Sequence, residues 1–305
     1  MPRFGRVLTA MASPMHPDRS LDLDGAQRLA VHLVEHGSDG IVVAGTTGES
    51  PTLTHDETLD LFRAVIEAVG DRATVIAGCG KNDTAATVAL TKEAAALGVD
   101  ATLQVTGYYN KPSQRGLEAH FRAVAAASDV PVMLYNVPSR TANEISPELL
   151  LRLATEVDTI VAVKDAVSDM TKTSWLAARA PDDFEIYSGN DADLLPMLAV
   201  GAVGIVSVAA HLVGEQIAQL IEVFPTDPAK ARVLHHRMLG LFSALFADTS
   251  PSPLKAALRM VGLPSGPVRP PLAEVDDEVA ALLVEALGEV GYSTESLKPH
   301  HVPGA

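Results

Sequence analysis

The feature that most limits what this chain can fold into is a strand–helix alternation repeated eight times in about 220 of its 305 residues. Short apolar runs at 7–11, 41–44, 74–77, 100–105, 131–135, 159–163, 184–187 and 204–208 read as strands, and stretches with helical apolar spacing follow them. In the first helix, at 24–36, Leu23, Ala26, Leu29, Ala30 and Leu33 make the apolar face and Gly37 ends it. Thr54 followed by Glu57 has capping-box spacing at the start of the second, and Pro147 suits the first turn of another. Alternation at this period demands a parallel sheet with helices outside it. An open, doubly wound nucleotide-binding sheet would carry Gly-x-Gly-x-x-Gly after its first strand, and this chain has none. Gly78-Cys79-Gly80 is followed by Asp83 where the third glycine belongs. The expectation is therefore an α/β fold, a (β/α)8 TIM barrel over residues 1–224, with a helical region at 225–305. Helices are expected there at 227–247, 253–261 and 274–287. Leu234, Met238, Leu241, Leu245 and Leu282 would cover the barrel or a neighbouring subunit, and 298–305 would be loose.

Composition narrows the function classes. Aromatic residues are 4% of a chain that is 47% hydrophobic, so the core must be built from Ala, Val and Leu. A formal charge of -15 argues against nucleic-acid binding, although a locally positive pocket can still hold an anion. The single cysteine, Cys79, excludes an intrachain disulfide and a multi-cysteine metal site, and its apolar neighbours read as a buried structural position. His235-His236 and His300-His301 lack a ligand pattern and are expected on the surface, so no metal is expected. Residues 1–13 show no apolar signal core, and no stretch reaches 18 apolar residues; the expectation is no membrane and a cytoplasmic location.

The chemistry gathers at the strand ends. Ile160-Val161-Ala162-Val163 runs directly into Lys164. A lysine there is either a solvated residue closing a strand or an amine on the catalytic rim of a barrel. In an apolar site a lysine loses part of its preference for protonation, and its free amine can attack a carbonyl. Other strand-end loops carry Thr46, Thr47, Tyr108, Tyr109, Tyr135 and Arg140. Tyrosine and threonine hydroxyls can relay protons because each donates and accepts, and arginine grips a carboxylate with two parallel donors. Each also has a structural reading: a hydrogen-bonded core tyrosine, loop-capping threonines, a surface arginine.

Four ordered motifs carry a resemblance. Gly45-Thr46-Thr47-Gly48-Glu49-Ser50, Tyr108-Tyr109-Asn110-Lys111-Pro112-Ser113, Tyr135-Asn136-Val137-Pro138-Ser139-Arg140-Thr141 and Val163-Lys164-Asp165 closely resemble the dihydrodipicolinate synthase family, also called 4-hydroxy-tetrahydrodipicolinate synthase. It lies within the class I pyruvate-aldolase barrels that include N-acetylneuraminate lyase. The resemblance, spanning at least residues 6–262, implies no cofactor beyond a covalent imine between Lys164 and pyruvate. It implies that Tyr135 transfers protons beside that imine and that Thr47 joins Tyr135 and Tyr109 in a relay. Thr46 would help bind the pyruvate carboxylate. Arg140 would hold the carboxylate of the acceptor, L-aspartate 4-semialdehyde. Gly189 and Val206 match positions whose backbone lines the pyruvate pocket. Tyr109 would cross a dimer interface, which implies a homo-oligomer, a tetramer built as a dimer of dimers. Gly107, Asp165 and Ser252-Pro253 depart from the commonest family pattern, which usually has Pro, Glu and Asn-Pro there. The rival expectations are another pyruvate-dependent aldolase acting on sugar acids, and a catalytically silent barrel.

Overall fold

A computed structural model describes residues 2–299. Its eight strands are β1 (Val7–Ala10), β2 (Gly40–Val43), β3 (Thr74–Gly78), β4 (Ala101–Val105), β5 (Val132–Asn136), β6 (Ile160–Asp165), β7 (Glu185–Ser188) and β8 (Gly204–Ser207). They pair in sequence order, all parallel, and β8 closes onto β1, so the sheet is a closed barrel as the alternation requires. Side chains alternate across each strand. Leu8, Val42, Ile76, Leu103, Met133, Ala162, Tyr187 and Val206 point inward and fill the barrel with one packed core.

The outer ring consists of α1 (Leu23–Glu35), α2 (His55–Val69), α3 (Thr84–Leu97), α4 (Gln114–Ala125), the short α5 (Pro138–Thr141), α6 (Pro147–Glu156), α7 (Met170–Ala177), α8 (Leu194–Ala199) and α9 (Ala210–Val223). The Thr54–Glu57 capping box is present, with both reciprocal hydrogen bonds, at the start of α2. Pro147 occupies the first turn of α6. Two features differ from expectation. The segment after Tyr135, expected to be irregular, turns into α5 because Pro138 presets the first helical residue and the Thr141 hydroxyl donates to Val137 O. Lys164 also lies inside β6 rather than after it, since Tyr135 and Asn136 of β5 continue the pairing to Lys164 and Asp165.

Three further helices follow: α10 (Pro228–Ala244), α11 (Ser252–Val261) and α12 (Asp277–Glu289). They do not build a core of their own. Met238 and Leu241 of α10 and Leu283 and Leu287 of α12 share one apolar cluster with Val7 of β1, Ile205 of β8 and Ile217 of α9. Leu245 joins it, Leu234 is half-buried against it, and Leu282 faces solvent. His235, expected on the surface, is instead buried, because residues 235, 238 and 242 share the inner stripe of α10 and its ring packs beside Phe242. His300-His301 and most of 298–305 lie outside the described residues, while the Lys298 N–H donates to Met260 O. Among the described residues, no helix is long and apolar enough to cross a membrane, and no three histidine, cysteine or acidic side chains are grouped to hold a metal. Cys79 is fully buried, and burial pushes its thiol up to about 12.

Candidate active site

At the carboxyl end of the barrel is a cavity of about 530 Å³, lined by Thr46, Thr47, Tyr135, Arg140, Lys164 and Gly189 together with Val137, Ser139, Asn190 and Val208. Its far wall is Phe246-Ala247-Asp248-Thr249-Ser250, the connection between α10 and α11. Six of the eight site residues read from the sequence thus meet in one place. Val206 is a strand residue whose side chain packs in the barrel core next to that cavity. Tyr109 lies on the β4–α4 loop, 90% exposed, with a left-handed backbone (φ 71).

Lys164 and Tyr135 are in register on neighbouring strands, and the amine nitrogen sits 4.2 Å from the centroid of the tyrosine ring. Burial is the main influence on Lys164; with Arg140 adding to it and Asp191 opposing, its pKa falls to about 7. A substantial fraction of these amines is therefore uncharged and nucleophilic near neutral pH. Burial drives the Tyr135 phenol the other way, up to about 12, despite the opposing pull of Arg140 and of a hydrogen bond with the Thr46 side chain. The phenol therefore keeps its proton at neutral pH and is available as an acid.

That influence bears on one expectation. Of the two threonines it is Thr46 whose side chain acts on the Tyr135 phenol, whereas the sequence reading gave the relay position to Thr47. Thr47 is the more deeply buried of the pair. Ala44 (φ 52) and Glu49 (φ 57), both left-handed, bracket the loop that carries the pair.

Gly189 answers a spatial demand. Its N–H donates to Asp165 O at 2.7 Å, and a Cβ there would stand 2.7 Å from the Ala166 Cβ and 3.0 Å from Asp165 O. Any side chain would push against the end of the lysine-bearing strand. Asp165 itself points away from the amine, accepting from the Thr173 hydroxyl (2.8 Å) and from the Val167 N–H (3.1 Å).

Sequence reasoning missed Asp191. Its buried carboxylate accepts from the Ser207 hydroxyl and from the Val208 and Ala209 N–H groups, each at 3.2 Å, and burial raises its pKa. Its charge also acts on Lys164, favouring the protonated amine. The only signal for it was its place in the turn after a strand. The 246–250 wall gave no local signal, since nothing in the tail says that it crosses back over the barrel mouth.

A parallel barrel with a buried lysine amine at its catalytic rim fits the class of Schiff-base-forming lyases. The sequence profile described as the Dihydrodipicolinate synthetase family matches residues 3–289, and the chain belongs to that family. Among curated relatives, the 4-hydroxy-tetrahydrodipicolinate synthase of Moorella thermoacetica is 52% identical over 290 residues, covering 95% of this chain and 99% of that protein. Among solved structures, the DHDPS from Cyanidioschyzon merolae with lysine bound has a TM-score of 0.94 at 44% identity, covering 95% of this chain and 99% of that one. The chloride-inhibited dihydrodipicolinate synthase from Acinetobacter baumannii complexed with pyruvate gives 0.91 at 35% identity, covering 94% and 99%.

Proposed function

We propose that this chain catalyses the 4-hydroxy-tetrahydrodipicolinate synthase reaction, condensing pyruvate with L-aspartate 4-semialdehyde on the route to diaminopimelate and lysine. The observation that carries this reading is one cavity holding the Lys164 amine, the Tyr135 phenol and the Arg140 guanidinium. The neutral amine attacks the keto carbon of pyruvate, and loss of water leaves an imine that needs no separate cofactor. The departing water takes up the Tyr135 proton, and the phenolate left behind accepts a proton from the methyl carbon to give an enamine, with the imine nitrogen as electron sink. The enamine carbon attacks the aldehyde carbon of the acceptor, whose oxygen takes up a proton. The acceptor's own amino group then attacks the imine carbon, closes the ring and displaces Lys164.

Tyr135 moves protons at the imine, backed by Thr46, and Tyr109 extends that relay from a second subunit. Thr47 takes the carboxylate side of pyruvate, and Gly189 and the backbone near Val206 border the same pocket. Arg140, exposed at the mouth, grips the acceptor's carboxylate with two donors. The exposure of Tyr109 in the single chain fits a side chain that finds its partners across a subunit interface. The working unit is accordingly a homo-oligomer, a dimer of dimers, and its place is the cytoplasm.

Borohydride reduction with pyruvate, followed by peptide mass analysis, should mark Lys164. Folded, active protein without that adduct would sink the imine mechanism. Turnover with aspartate semialdehyde should exceed turnover with sugar aldehydes, and the reverse order would reassign the acceptor.

A further inference from the structure

Beneath the threonine loop lies an ion pair that the reaction itself does not use. Lys255 of α11 and Glu49 are both fully buried, with Nζ 2.7 Å from Oε1. The same Nζ donates to Ser13 O (3.0 Å) and Pro267 O (2.7 Å), so all three of its protons have acceptors. The other carboxylate oxygen of Glu49 accepts from the Arg269 N–H at 2.8 Å. Such a pair, satisfied on both sides in a dry interior, is geometrically exacting, because any displacement leaves a charge without a partner.

What the pair fixes is the loop's backbone. Glu49 is held left-handed, a conformation side chains disfavour, and its N–H donates to Thr46 O at 3.1 Å. The Ser13 hydroxyl donates to Gly48 O at 2.7 Å from the other side. Thr46 and Thr47 therefore sit on a turn whose far end is tied to the C-terminal helices.

We propose that Lys255 is a positioning residue for proton transfer: through Glu49 it holds the 45–50 turn so that Thr46 faces Tyr135 in the cavity they both line. This rests on the imine reading above and goes further, giving the C-terminal helices a role in the chemistry. It separates two steps. Imine formation needs mainly the Lys164 amine, whereas removal of the pyruvate methyl proton needs the Tyr135–Thr46 contact.

The test compares Lys255→Met with the double variant Glu49→Leu/Lys255→Met in the full-length protein. Two readouts are normalised per folded site: borohydride-trapped pyruvate, and exchange of pyruvate methyl protons into deuterated water followed by proton NMR. Lys255→Met leaves Glu49 charged and unpaired and lowers the melting temperature, while the apolar pair restores much of it. Exchange per trapped site is expected to slow by at least about tenfold in both variants, as loss of alignment predicts, with trapping changed less than about twofold. Recovery of exchange together with melting temperature in the double variant overturns the proposal, since the pair would then serve stability alone. Should neither variant fold, Glu49→Gln, which keeps the shape and one acceptor, is expected to show exchange slowed several-fold per trapped site; a wild-type rate there overturns it equally. Wild-type protein that traps no pyruvate would defeat the imine reading, whereas normal trapping with normal exchange in the variants defeats only the role of Lys255.

Discussion

The amine of Lys164 stands over the ring of Tyr135, 4.2 Å from its centroid, and the two residues pair directly across β5 and β6. The face of an aromatic ring favours a cation, and burial disfavours one. Burial prevails, leaving Lys164 at about 7. The nucleophile is thus poised at neutral pH while the phenol beside it, pushed up to about 12, remains protonated.

The first consequence is a pH profile. The rate of imine formation with pyruvate should rise with pH as the amine deprotonates, reach half its limit near 7 and then level off. Asp191 favours the charged amine and Arg140 opposes it, so Asp191→Asn should move the half-point down and Arg140→Gln should move it up. Stopped-flow trapping across pH 5.5–9 (about one Lys titration range) checks both signs. A half-point near that of free lysine would contradict the burial argument.

Stability should rise with pH through the same titration. In the unfolded chain Lys164 titrates near its ordinary 10.5 and in the folded protein near 7, so between these values the unfolded state binds more protons. Stability contributed by this site therefore rises with pH across that window and is least below 7. Lys164→Met keeps the stem and removes the titration. It should be more stable than the parent at neutral pH by an amount on the order of a few kcal/mol, with the advantage shrinking toward pH 10. Urea melts at several pH values would read this directly.

Within the threonine pair, Thr46→Val and Thr47→Val should behave differently. Thr46→Val removes the hydroxyl that meets Tyr135 and should lower kcat about 10²-fold or more, comparable to Tyr135→Phe. Thr47→Val should act chiefly on the KM for pyruvate. The opposite pattern would return the relay to Thr47.

Tyr109→Phe should cripple turnover while circular dichroism and melting temperature stay at wild-type values, because the side chain is 90% exposed in the single chain. Mixing Tyr109→Phe subunits with Lys164→Ala subunits, each inactive, should restore part of the activity through hybrid sites. Mixtures as dead as their components would place Tyr109 outside the relay.

At Gly189 even one methyl group is excluded. Gly189→Ala should destabilise the fold by roughly 1–3 kcal/mol and slow trapping at Lys164, because the added Cβ meets Ala166 and the carbonyl of Asp165. Crystallography of the variant would show whether β6 has shifted.

How much of this was legible in the sequence depended on how local the signal was. The barrel was readable because each strand and helix carries its own period and ends at its own Gly, Pro or capping residue, as at Thr54 and Gly98. Lys164 was readable because a charge at the end of an apolar run is conspicuous. The order of Thr46 and Thr47 was not, since two adjacent hydroxyls look alike in sequence and only the folded loop decides which one acts on Tyr135. His235 looked like a surface residue beside His236 until the inner stripe of α10 was fixed by its packing. Asp191 and the 246–250 wall reach the cavity through the way distant segments are laid over the barrel mouth, which no window of sequence encodes.

Glu49 and Lys255 are separated by 206 positions in the chain. During synthesis the loop with the two threonines emerges early, and the ammonium that seats it emerges only after the whole barrel has been made. A nascent chain interrupted after its eighth strand holds Lys164, Tyr135 and both threonines, yet has an unneutralised carboxylate where its active-site floor should be. The floor of the active site is therefore completed only by residues from the far end of the chain.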